Sequence, residues 1–305
     1  MSDGATIRVR QYGNVDGPRI FMSHGNGFAI DGYVAFWQPL AAQFELIIFD
    51  FRNHGHNPES PATHHHYAQM ADDVEHILRG VNERLGHRPA IGAFHSMSAR
   101  AAMKHAVETD WRWQALVLFD PPNMPPPDHP QYAKMIAFED KLVQFAQTRR
   151  HRFNDPGELA KHYASSRAHA RWVNGAHAAM AQAVLRPDPQ HGDWVLVCPG
   201  ELEASIYAAA STLNLWPNAG EFGGPVALIG SDAERTGPSP TAAANRALAQ
   251  EGGYWYRAIA GTGHLLQIEK PKDCRAAMLA FLSESGVLTR FAPQESRPGS
   301  DCSFH

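Results

Sequence analysis

A serine set on a sharp turn between a strand and a helix is the first residue of this chain suited to bond-making chemistry. Ile91 to His95 is a run of strand-forming residues, and from Met97 the chain continues as an alanine-rich helix. At that turn Ser96 presents its hydroxyl above a sheet. The amide of Met97, at the helix N-terminus, faces the negative charge that develops when the hydroxyl attacks a carbonyl. This is acyl-transfer chemistry; the plain alternative for such a serine is a helix N-cap. Other chemistries find less support. His54 and His56 lack the Asp-His that completes an H-x-H-x-D-H metal site, and three adjacent histidines at 64–66 cannot all face one point. Gly25 and Gly27 fit neither a G-x-G-x-x-G fingerprint nor a P-loop. The expectation is no metal and no cofactor.

Phe94-His95-Ser96-Met97-Ser98 resembles the G-H-S-M-G elbow of the α/β-hydrolase superfamily, with Phe94 and Ser98 in place of the two glycines. His24-Gly25-Asn26-Gly27 resembles that family's H-G-x-G loop, which implies an oxyanion hole formed by the backbone amides of Asn26 and Met97. The segment from Asp50 to Asn57 is similar to the family's D-x-R-G-H-G-x-S stretch, read here as bracing for neighbouring loops. Gly263-His264, followed by Glu269 and Pro271, resembles the G-H-x-x-x-x-E-x-P segment. The resemblance makes His264 the general base, work suited to an imidazole. It also places an acid after the strand 225–229. Asp232 lies two residues after Gly230 and Glu234 four after, against a family spacing of about three. Asp232 is the choice; Glu234, and Asp120 after the strand 115–119, stay open.

What the resemblance implies is a serine hydrolase that opens a small to medium carboxylic ester, thioester or lactone through an acyl-serine intermediate. A carbon–carbon bond hydrolase or an acyltransferase would use the same constellation. A non-catalytic ligand-binding relative follows if Phe94 distorts the elbow.

Such residues need a scaffold, and the chain carries one. Runs at 20–23, 46–51, 89–94, 115–119, 225–229 and 254–259 read as strands, several apolar on both faces, as in a parallel sheet covered by helices. Tyr67 to Leu85 repeats apolar positions at helical spacing. Alternating strands and helices predict a doubly wound, mostly parallel α/β sheet with functional groups at the carboxyl ends of the strands. The proline cluster through Pro127 interrupts the alternation, and helical patterns then dominate until Pro225. The expected organisation is a core of 1–128 and 222–288, a helical cap of 129–221 over the site, and a loose tail of 289–305. Within the cap, Glu203 and Tyr207 are candidates for pocket lining.

Composition removes several classes of partner. Hydrophobic residues make up 44 % and charged residues 19 % of 305, which excludes the signature of disorder. The net charge of −4, with no basic block, argues against nucleic acid, and no apolar run approaches the length of a membrane span. Cys198, Cys274 and Cys302 lack metal or disulfide spacing and are expected to be free thiols. The charged N-terminus predicts a cytoplasmic protein, and the expected partner is a small-molecule substrate. The sequence does not indicate an oligomeric state.

Overall fold

The computed structural model describes residues 1–288 apart from 236 and 238; the expected tail, 289–305, and Cys302 within it lie outside the described residues. In chain order the main elements are β1 (Val9–Gly13), β2 (Arg19–Met22), α1 (Val34–Trp37), β3 (Glu45–Phe49), α2 (Tyr67–Leu85), β4 (Ala90–His95), α3 (Met97–Glu108) and β5 (Ala115–Phe119). An inserted segment carries α4 (Tyr132–Thr148), β6 (Arg152–Phe153), α5 (Pro156–Ser165), α6 (Ala176–Val184), β7 (Leu185–Asp188), β8 (Asp193–Leu196) and α7 (Gly200–Ala208). Then come β9 (Val226–Ser231), α8 (Pro240–Gly252), β10 (Trp255–Ile259), α9 (Leu266–Glu269) and α10 (Pro271–Glu284).

The main sheet has the order β1-β3-β2-β4-β5-β9-β10 and is parallel except for β1, which runs antiparallel to β3. This is the doubly wound α/β architecture the strand pattern predicts. Its strands are apolar on both faces because both faces are covered. Leu46, Ile48, Ile91, Val117 and Ile229 point into a layer shared with α1 and α10, whereas Ile47, Phe49, Phe94, Leu118 and Leu228 point toward α2 and α3. β1 escapes the strand pattern because, at the sheet edge, four of its five residues are exposed.

The chain passes from β2 to β3 on one side and returns to β4 on the other. The loops after β2 and β4 therefore flank the switch point where open α/β sheets bind ligands.

The insertion adds strands to the mainly helical segment expected. β6, β8 and β7 form a small antiparallel sheet. Its strands are two to four residues long and contain Pro187, Asp188 and Asp193, so they carry no apolar alternation to read. Arg152 ties them together, with Nη2 2.7 Å from Asp188 and Nε 2.8 Å from Asp193. Its helix α6 starts at Ala176, directly after Gly175 in a left-handed conformation at φ 82°.

Candidate active site

The elbow, the loop after β2, the turn after β5 and the loop after β10 meet at one place. Ser96 follows β4 in a strained conformation, φ 54° and ψ −115°, and Met97 immediately begins α3. Ser98 occupies the second glycine position without cost to the turn. Its Oγ accepts from the His95 amide and donates to the His95 carbonyl, each at 2.9 Å. Phe94 is accommodated by its own strand. It is fully buried, with its ring edge-on to Trp113 at 5.5 Å, in space left by Gly92, where a Cβ would lie 2.6 Å from the Phe94 ring. A bulky residue here therefore does not displace Ser96.

Nε2 of His264 lies 2.8 Å from Ser96 Oγ, and its Nδ1 lies 2.7 Å from Asp120 Oδ2. The acid on the histidine is thus Asp120 and not Asp232. Asp120 leaves β5 with φ 44°, and its amide donates to Ile229 O on the neighbouring strand. Its Oδ1 accepts from the Ser231 amide at 2.9 Å and from Asn245 Nδ2 at 3.0 Å, so the fully buried carboxylate is oriented from two elements. Asp232 faces outward. Its carboxylate accepts from the amides of Gly261 (2.7 Å) and Glu234 (2.8 Å), which stiffens the loop carrying His264 and holds its own pKa below the usual carboxylate range. Glu234 is exposed and pairs with Arg246. Neither Ser231 nor Asn245 stood out in the sequence, because a buried serine and a helical asparagine carry no local signature.

Gly25 brings the loop after β2 against the elbow; a Cβ there would lie 3.0 Å from His95 Nδ1 and 3.3 Å from Ser96 Cβ. The Gly25 amide donates to Tyr33 Oη at 3.2 Å and the Gly27 amide to His54 Nε2 at 3.1 Å. Among the described residues the Asn26 amide has no partner. Met97, first in α3, has no intrahelical acceptor for its own. These two N–H groups are the candidate oxyanion donors.

A chain of neutral groups ties the three loops together. Tyr33 Oη, which accepts from Gly25, donates to His95 Nδ1 at 2.8 Å, and His95 Nε2 donates to the His264 carbonyl at 2.8 Å. Burial, reinforced by neighbouring imidazoles, holds His95 well below the ordinary histidine range. His24 and His54 brace the same loop from behind. His24 Nε2 accepts from the Phe51 amide at 3.1 Å, and burial takes its pKa down to about 4. Asp50 accepts from the Ile30 amide and Asn57 donates to the carbonyls of Asp50 and Phe51, the bracing role expected of this segment.

The three histidines at 64–66 point to different surroundings, as their adjacency requires. His64 pairs with Asp3 and His66 caps α2, but His65 is buried and stacked on His54. Cys198 and Cys274 are buried free thiols. No helix among the described residues is long and apolar enough to cross a membrane.

The mostly parallel sheet with a sharp strand-to-helix turn after its central strand is the α/β-hydrolase fold. The model of the Alpha/beta hydrolase family matches residues 20–277, and the chain belongs to that family. No curated protein matches it. Among solved structures it is similar to E-2-(acetamidomethylene)succinate hydrolase, with a TM-score of 0.75 at 19% identity over 92% of this chain and 96% of that one. It is also similar to the thioesterase domain from the curacin biosynthetic pathway (TM-score 0.65, 18% identity, 90% and 95% covered). A third is the enol-lactonase from Burkholderia xenovorans LB400 (TM-score 0.64, 20% identity, 92% and 98% covered).

Proposed function

We propose that the chain is a serine hydrolase of a small to medium carboxylic ester, thioester or lactone, with Ser96 as nucleophile, His264 as general base and Asp120 as the acid behind it. The unbroken relay from Asp120 through His264 to Ser96 carries this reading. Asp120, an acceptor, keeps a proton on His264 Nδ1 and leaves the Nε2 lone pair for the serine hydroxyl. As Ser96 Oγ bonds to the substrate carbonyl carbon, its proton passes to Nε2, and the oxygen takes up charge facing the amides of Asn26 and Met97. The histidine returns that proton to the leaving group. Water, deprotonated by the same nitrogen, then cleaves the acyl-serine.

The inserted segment 129–221 acts as the cap in this reading. The Asn26 side chain supports it by reaching across to α7, donating to Glu203 O at 2.8 Å. The neighbours in fold include proteins named as a thioesterase and an enol-lactonase, which fits carbonyl substrates of this kind.

The test is intact-mass labelling with a fluorophosphonate, alongside 4-nitrophenyl ester turnover. One adduct on the wild type, absent from Ser96→Ala together with turnover, is expected. Labelling that persists in Ser96→Ala, or a wild type that neither labels nor turns over, would sink the proposal.

A further inference from the structure

Four arginines of this protein meet a carboxylate along the Nε–Nη2 edge of the guanidinium. Arg19, Arg52, Arg152 and Arg171 each place Nε and Nη2 against a single carboxylate, those of Glu45, Asp73, Asp193 and Glu269. Arg149, at the end of α4, differs. Its Nη1 forms an ion pair with Glu203 Oε2 at 3.0 Å, whereas its Nε and Nη2, and that Oε2, are buried with no hydrogen-bond partner among the described residues. Two buried donors in fork geometry are costly to leave unpaired, and a carboxylate is the group whose shape satisfies both.

The ion-pair partner of Arg149 sits against the loop after β2. Glu203 Oε1 lies 2.6 Å from where a Cβ of Gly27 would stand, and Asn26 Nδ2 donates to the Glu203 carbonyl. Asn26 Oδ1, His169 Nδ1 and Trp172 Nε1 are likewise buried without partners. Phe28, next in the loop, touches both of those aromatic rings. Unpaired polar atoms therefore gather on the cap side of the loop that holds the candidate oxyanion amide.

We infer that the Nε–Nη2 edge of Arg149 binds a carboxylate of the substrate, so that the ester, thioester or lactone carries a free acid group. The inference rests on the reading of Ser96 as nucleophile and adds the substrate class to it. Glu203 can accommodate the extra charge: burial raises its pKa, and a proton taken up on Glu203 leaves one cation facing one anion.

The test compares kcat/KM for mono-4-nitrophenyl adipate with its methyl-capped diester, and for 4-acetoxybenzoate with its methyl ester. In the wild type the free acid of at least one pair is expected to be favoured by about tenfold or more. The acid-to-capped ratio should fall to about one in Arg149→Met, and most of the preference should go in Arg149→Lys, which keeps charge without the fork. Equal use of acid and capped forms by the wild type, or a preference that survives both substitutions, overturns the inference while leaving Ser96 chemistry intact. If Ser96 takes no fluorophosphonate adduct, the underlying reading fails instead. The carboxylate site is then read by calorimetry of monomethyl adipate binding to Ser96→Ala. Saturable binding weakened about tenfold by Arg149→Lys supports it, and no binding overturns it.

Discussion

Asp120 and Asp232 separate the two jobs a carboxylate can do near a histidine. One is buried and aimed at Nδ1; the other is half-buried and spends its oxygens on backbone amides of the surrounding loops. An acid that fixes the tautomer contributes in the transition state, so Asp120→Asn is expected to lower kcat by about 10³ to 10⁴-fold with the fold retained. Asp232→Asn removes only part of a loop brace and should stay within about tenfold of wild type. Steady-state kinetics of the two variants side by side decide the assignment, and a larger loss for Asp232→Asn would reverse it.

At the scale of the element, β4 shows how a departure from a family pattern is absorbed by its neighbours. Residues 92 and 94 face the same side of the strand, so a glycine at 92 opens the volume that the Phe94 ring fills. Gly92→Ala would place its methyl 2.5 Å from Leu116 and 2.6 Å from Phe94, both fully buried. The expected loss is about 1 to 3 kcal/mol in urea unfolding. Adding Phe94→Leu should recover part of that loss, because the two sites share one space. Strictly additive losses would mean that the pair is not coupled. The loop after β10 is held in a comparable way, with Glu269 accepting from the Gly263 amide at 2.8 Å while bound by Arg171 from the inserted segment.

For the whole molecule, histidines buried around the site and in the inserted segment are kept neutral by burial. His24 and His169 are lowered to about 4 and His65 to about 3. An unfolded histidine takes up its proton near pH 6.5. Between pH 6.5 and about 4 the unfolded chain therefore binds more protons than the folded one at His24, and stability falls as the solution is acidified. The contribution of His24 is about 1.4 kcal/mol per pH unit across that window, roughly 3 kcal/mol in total. Glu139 and Glu203, raised by burial, act in the opposite direction, so the slope of a variant is the informative quantity. Urea-unfolding free energies measured from pH 7 to 4 should decline less steeply in His24→Asn. An unchanged slope would show that His24 is not held neutral in the fold.

Much of the scaffold was legible in the chain because it is written in local periodicity. The helix Tyr67–Leu85 and the strand Ala115–Phe119 stand at the residues their patterns mark, and the serine turn and Gly263-His264 carry short-range motifs. Edge strand β1 and the three short strands of the insertion left no such trace, since exposed strands and strands of two to four residues need no apolar alternation. The sequence by itself determined the parallel α/β architecture, the family resemblance and the serine and histidine that face one another. Packing in the folded chain sets Asp120 on His264, makes room for Phe94 at Gly92, and leaves Arg149 with an unpaired edge beside Glu203. The first and the last depend on contacts between residues far apart in the chain, set by strand order and by the inserted segment reaching the loop after β2, and the second on Trp113 and Leu116 packing against β4.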